Sequence, residues 1–222
     1  MKKNNISGRS MVEMLGVLAI IGILSAGALA GYSKAMMQYK LNKNTDEISY
    51  LMATAIFNSD KLNNASFDLL EELQALGAFT WPIEIYTPEW PGGRFLAVND
   101  SLGNQLWFEH YTKEQYPKVG DLFALAVYLP KNDYINKICY NYVNIFKNLS
   151  DEIYGIYATN STDSKDTRDA YRGQGCTSDK CLATMTNSDI INMCQKHCTG
   201  ATRCILYANW GVPGETIQAR FD

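Results

Sequence analysis

Cysteine is absent from the first 138 residues of this 222-residue chain, and proline from the first 81. Histidine occurs only twice, at His110 and His197, so any mechanism that needs a cluster of imidazoles is disfavoured. Charged residues make up 19% of the chain, against about 25% in an average domain. The formal net charge of −3 excludes a generally basic nucleic-acid binder, and no nucleic-acid contact is expected. With 46% hydrophobic residues the chain also lies outside the class that stays disordered. There is no Walker loop, no G-x-S-x-G, no H-E-x-x-H and no dinucleotide fingerprint. Asp and Glu are scattered, without a pair that spacing places on one face. Neither catalysis nor a cofactor is therefore expected.

What is present is unevenly placed. Residues 14–32, MLGVLAIIGILSAGALAGY, carry no charge. At about 1.5 Å per residue such a helix just spans a hydrocarbon core of roughly 30 Å. Gly27 and Gly31 have the small-xxx-small spacing that lets another helix approach closely. A cleaved secretory signal fits less well, although Ala28 and Ala30 offer a small-x-small site. Basic residues flank the run on both sides, with Lys2, Lys3 and Arg9 before it and Lys34, Lys40 and Lys43 after it, so charge bias leaves the orientation open. The cysteine-rich region downstream favours an extracytoplasmic C-terminus. Glu13 stands at the start of the apolar run. A carboxylate there either sits at headgroup level and pairs with Arg9 at i,i+4, or serves a function that justifies about 2.5–3.5 kcal/mol of insertion cost.

The stretch Gly8-Arg9-Ser10-Met11-Val12-Glu13, with a short lysine-bearing leader before it and a long apolar helix after it, resembles the prepilin segment of type IV pilins and type II secretion pseudopilins. The resemblance covers roughly residues 1–58. It implies that a prepilin peptidase in the inner membrane cuts after Gly8 and methylates the new N-terminus. Glu13, at the fifth mature position, is then required for assembly with other pilin subunits. Arg9 departs from the apolar first mature residue usual in the family, which bears on methylation more than on cleavage. The family's helix-breaking proline is also missing, which leaves Gly16, Gly22, Gly27 and Gly31 as the places where the helix can loosen. In a dry bundle of such helices a buried carboxylate needs a cation, and a neighbour's N-terminal amine or the Arg9 guanidinium is the nearest one.

The expected organisation is a leader over residues 1–8, a membrane and polymerisation half of the helix over 9–32, and an extracytoplasmic head over 33–222. The head includes the amphipathic half of the helix, 33–58. There Ile48, Leu51, Met52, Ala55 and Ile56 recur at helical spacing, with Lys43, Asp46, Glu47 and Asn58 off the stripe. One helix from about Ser10 to Asn58 would be roughly 73 Å long. Ser66 can cap a short helix whose buried face is Leu69, Leu70, Leu73 and Leu76, closed by Gly77. Ile83–Tyr86 is β-prone. Arg94–Val98 and Gln105–Tyr111 read as a hairpin across NDSLGN, and Phe123–Leu129 as a buried strand or short helix. Asn132 or Asp133 can start a helix with Ile135, Ile138, Tyr142, Ile145 or Phe146, and Leu149 on one face. Ile153–Ala158 is a candidate strand, NSTDSKDTRD an exposed loop, and Cys204–Trp210 and Ile217–Phe221 two last strands around a GVPG turn. His197 is expected on a helix surface and His110 in a strand. The fold class is α+β and, as the resemblance implies, pilin-like: a long N-terminal helix packed on an antiparallel sheet, with a disulfide-rich C-terminal region.

Six cysteines fall between Cys139 and Cys204 with spacing C-x36-C-x4-C-x12-C-x3-C-x5-C. In an exported domain they suggest three disulfides. Cys176 and Cys181 pairing with Cys194 and Cys198 would leave Cys139 for Cys204. Zinc is the rival, with four ligands drawn from Cys176, Cys181, Cys194, His197 and Cys198. Some pseudopilins also carry a calcium loop near the end of the head. The matching stretch here is Asp163 to Asp169 with Asp166, but Lys165 and Arg168 neutralise it, so a solvated loop is expected. The reading that follows is a structural subunit of a type IV pilus-like filament. The alternatives are a pseudopilin of a secretion or DNA-uptake system and a single-pass anchor that never polymerises.

Overall fold

The computed structural model describes residues 11–62, 69–88, 95–160, 169–201, 204–215 and 218. They form two units, divided between Lys40 and Leu41. Helix α1 (Met11–Phe57) contributes to both. Within the first unit every described residue is helical. Proline is absent there and Ala, Leu and Met abound, so nothing in the local sequence opposes a helix.

The second unit is an α+β structure built on one six-stranded sheet. Its further elements are α2 (Leu69–Ala75), β1 (Val98–Asn99), β2 (Gln105–Tyr111), β3 (Gly120–Leu129), α3 (Ile135–Asn148), β4 (Gly155–Thr159), β5 (Asp169–Arg172), α4 (Asn187–Cys198) and β6 (Cys204–Pro213). The sheet order is β1-β2-β3-β6-β4-β5, and every neighbouring pair of strands is antiparallel. The last strand thus lies in the middle, and the sheet is complete only when the C-terminal segment inserts between β3 and β4.

Register sorts the side chains onto two faces. One carries Leu106 and Phe108 of β2, Leu125 and Val127 of β3, Leu206 and Ala208 of β6, and Ile156 and Ala158 of β4, all buried. Of the amphipathic stripe of α1, Ile48, Leu51, Met52 and Ala55 are fully buried in the same unit, while Ile56 is half-buried. Helices α2, α3 and α4 lie against β2, β3 and β4. The other face is also largely apolar. Its central row is Trp107, Ala126, Tyr207, Tyr157 and Ala170, and the row beside it is Glu109, Ala124, Asn209, Gly155 and Arg172.

Several expectations change. Glu47, placed off the stripe, is buried at 4% exposure. Its contact is the ammonium of Lys43 at 3.6 Å, one turn back. Leu76 is exposed because α2 ends at Ala75 and the chain turns at Gly77, whose φ is +69°. The β-prone run before Pro88 makes only the isolated bridge Tyr86↔Ala97, and Pro82 and Pro88 bracket it. Asp169 belongs to strand β5 rather than to a loop. The GVPG segment continues β6 through Pro213 instead of turning. This continuation needs glycine on both partner strands: a Cβ on Gly120 would lie 2.3 Å from the Val212 carbonyl oxygen, and one on Gly211 2.6 Å from that of Asp121. Gln218 is helical where a strand was expected, its amide bonding back to the Gly214 carbonyl at 3.0 Å. Ser66, Arg94, residues 161–168 and the rest of the last expected strand lie outside the described residues.

Candidate functional site

The first candidate element is the N-terminal part of α1. Among the described residues it is the one helix long and apolar enough to cross a membrane, and none of that apolar stretch is buried. Leu15, Leu18, Ile20, Ile23, Leu24 and Leu29 are all exposed. Glu13 is exposed in the first turn, where a carboxylate complements the helix dipole. Gly16, Gly22, Gly27 and Gly31 sit in unbroken helix with open space where a Cβ would be. Gly8 and Arg9 lie outside the described residues. An apolar surface of this length is not left facing water, so lipid or protein covers it in use.

The second element is the cysteine-rich end, where the pairing departs from expectation. The bonds are Cys139–Cys194, Cys176–Cys181 and Cys198–Cys204, and no cysteine among the described residues is free. Cys194 and Cys198 do share the α4 helix, but they face different partners. Helix α3 lies along α4, which brings Cys139 to 5.8 Å from Cys194 between α carbons. Asn136 and Thr199 join the same two helices by hydrogen bonds of 2.9 and 3.1 Å, and the Tyr140 hydroxyl donates to Asn187 at 2.9 Å. Strand β6 begins six residues after Cys198, so that bridge closes the α4–β6 turn. Cys176 and Cys181 close the loop that follows β5. With these thiols oxidised, the zinc reading loses its ligands.

His197 is fully buried, not on a helix surface. Its Nε2 lies 3.0 Å from Asp169 Oδ2, while Lys196 donates to Asp169 Oδ1 at 2.8 Å. Burial raises the Asp169 carboxyl pKa, but the bonds from Lys196 and His197 outweigh it and hold the group below its ordinary value. The start of α4 is fixed by a capping box, with Thr186 and Asp189 exchanging bonds of 3.2 and 2.8 Å. His110 lies in β2 as expected. It stacks on Phe123 at 3.9 Å, and Phe123 stacks on Trp210 at 5.6 Å, which makes an aromatic ladder across β2, β3 and β6. Its Nε2 meets Asp121 at 2.9 Å. Among the described residues no three His, Cys, Asp or Glu side chains group as metal ligands.

Sequence reasoning missed the buried polar centre of the second unit. Asp100, 6% exposed, accepts the backbone amides of Leu102 and Asn104 at 2.9 and 2.7 Å. It also accepts the Asn44 and Asn104 side-chain amides at 2.8 and 2.7 Å, and the Tyr142 hydroxyl. One carboxylate therefore joins α1, the β1–β2 turn and α3. The turn signal NDSLGN was readable in sequence, but the reach of Asp100 to two helices was not.

No family model matches the chain. No curated protein matches it either. Among solved structures, the crystal structure of type IV b pilin from Salmonella typhi is similar at 14% identity, with a TM-score of 0.44, over 75% of this chain and 97% of that one.

Proposed function

We propose that this chain is a non-enzymatic structural subunit of a type IV pilus-like filament. In this reading it enters the inner membrane as a single-pass precursor with an extracytoplasmic C-terminus. Prepilin peptidase removes residues 1–8 after Gly8, and the chain then polymerises with other pilin subunits through its N-terminal helix. The observation that carries the reading is the exposed, proline-free apolar helix whose only carboxylate before Asp46 is Glu13, in register behind the Gly8-Arg9 junction. An α+β unit with three disulfides behind that helix is consistent with life outside the cytosol.

The physical logic is a transfer between two dry environments. In lipid Glu13 stays near the headgroups. In a helical bundle it is buried, and its charge is tolerated only beside a cation. The new N-terminal amine of a neighbour, or the Arg9 guanidinium, supplies that cation and sets the stagger between subunits.

Co-expression with a prepilin peptidase tests the first step. Intact mass should fall to that of a chain beginning at Arg9, with or without one methyl group. A chain that stays uncut beside an active peptidase supports the simple anchor and overturns the filament reading.

A further inference from the structure

The outer face of the sheet holds a hollow that neither α1 nor the disulfides explain. Its origin is one row of small side chains between aromatic rows. In register across β2, β3, β6 and β4 the row reads Glu109, Ala124, Asn209 and Gly155. The row below it holds Trp107, Tyr207 and Tyr157, and the row above holds Tyr111 and Leu122. Ala124 and Gly155 cannot fill the space their neighbours enclose. The result is a cavity of about 70 Å³ lined by Glu109, Tyr111, Leu122, Ala124, Tyr157 and Asn209. One water needs about 10–15 Å³, whereas a whole-ligand pocket runs to roughly 300–1,000 Å³. The hollow thus has room for the tip of a molecule, not for a sugar or a nucleotide.

The chemistry of the lining is one-sided. Glu109 accepts the Trp107 indole N–H at 2.8 Å and the Tyr111 hydroxyl, both neutral donors. Among the described residues no lysine or arginine pairs with this carboxylate. Asn209 is 2% exposed and its amide reaches the Gly155 carbonyl at a long 3.5 Å. Burial and the Glu109 charge both push the Tyr111 hydroxyl pKa up, so Tyr111 stays a neutral donor. Two walls are the rings of Tyr111 and Tyr157, the rest of the apolar lining being Val119, Leu122 and Ala124; behind the cavity Tyr157 stacks on Tyr207 at 4.5 Å. A carboxylate and an amide beside two tyrosine rings complement a cation that brings its own N–H donors.

We propose that this hollow is a binding subsite for a protonated primary amine on a slender aliphatic stem. Glu109 supplies the counter-charge, Asn209 Oδ1 accepts a second N–H, and the tyrosine rings hold the stem. The same group can arrive on a free alkylamine or on the side chain of a lysine. Carboxylates and phosphates are excluded by Glu109.

The test uses the full-length chain in detergent micelles and follows the Trp107 indole N–H resonance, which reports on Glu109 directly. n-Butylammonium should shift this resonance saturably, and isosteric n-butanol should not. Glu109→Gln should weaken butylammonium roughly tenfold or more, whereas Asn209→Asp, which adds a second carboxylate, should tighten it by about the same factor. Ala124→Leu fills the hollow without touching the charge and should abolish the shift. An acetyl-lysine amide that competes with butylammonium points to a lysine as the natural donor. A shift with butylammonium but none with the lysine analogue points to a free amine. Equal response to amine and alcohol, or unchanged binding in both Glu109→Gln and Ala124→Leu, overturns the proposal.

Discussion

The hydroxyl of Tyr142, in the middle of α3, donates to the carboxylate of Asp100 in the β1–β2 turn, and both groups are buried. Burial first, and then the neighbouring Asp100 charge, push the Tyr142 hydroxyl pKa far up, so it remains a donor throughout the working range. Asn44 of α1 converges on the same carboxylate at 2.8 Å. Tyr142→Phe removes one of five donors and should cost about 2 kcal/mol. Asp100→Ala strands several buried donors at once and should cost at least about 4 kcal/mol. Because the groups share one network, the double variant should fall well short of the sum of the two. Urea unfolding of the four proteins measures this, and simple additivity would show that the network does not act as a unit.

Asp169 predicts a pH dependence. Its carboxyl is held below the ordinary value of 3.8 in the folded state, despite burial, by Lys196 and His197. A depressed folded pKa adds stability that is fully present above the unfolded value and is lost as pH falls through the folded one. Asp169→Asn should therefore lower Tm at pH 7, and the gap from wild type should close as pH drops below about 4. A deficit of the same size at pH 7 and pH 2.5 would mean that the pairing contributes nothing to stability.

The three disulfides should differ in weight. Cys139–Cys194 closes 55 residues and Cys176–Cys181 closes five. Loop-closure entropy alone gives about 4 kcal/mol for the first and about 2 for the second. Replacing Cys139 and Cys194 by alanine should lower the thermal midpoint clearly more than replacing Cys176 and Cys181. Peptide mapping under non-reducing conditions should recover Cys139 linked to Cys194, not to Cys204.

Glu13→Gln should leave the thermal unfolding of the second unit unchanged, since Glu13 lies in the first unit and is exposed. It should nonetheless abolish sheared surface filaments, if the carboxylate sets the subunit stagger. Filaments at wild-type yield from the Glu13→Gln chain would remove that role.

The pattern of this chain was legible where the signal was local. The proline-free apolar run, the 3.6-residue stripe of Ile48, Leu51, Met52 and Ala55, and the turn at NDSLGN each rest on neighbours in sequence, so α1 and the β2 hairpin could be placed to within a few residues. The short polar strand Asp169–Arg172 has no such signal, because its strand character comes from pairing with β4. Likewise the i,i+4 spacing of Cys194 and Cys198 says that they share a helix face, not which partner each one meets.

Composition and periodicity alone therefore pointed to a long membrane-grade helix, an α+β remainder and a cysteine-rich far end whose thiols were expected to be oxidised, with zinc as the rival. Tertiary structure alone decided which cysteines bond, that His197 and Glu47 are buried, that β6 lies between β3 and β4, and that Asp100 ties two helices to one turn. The reason is range. Helices and turns are chosen by contacts within a few residues, whereas each of these features joins groups whose meeting depends on how helices and strands pack.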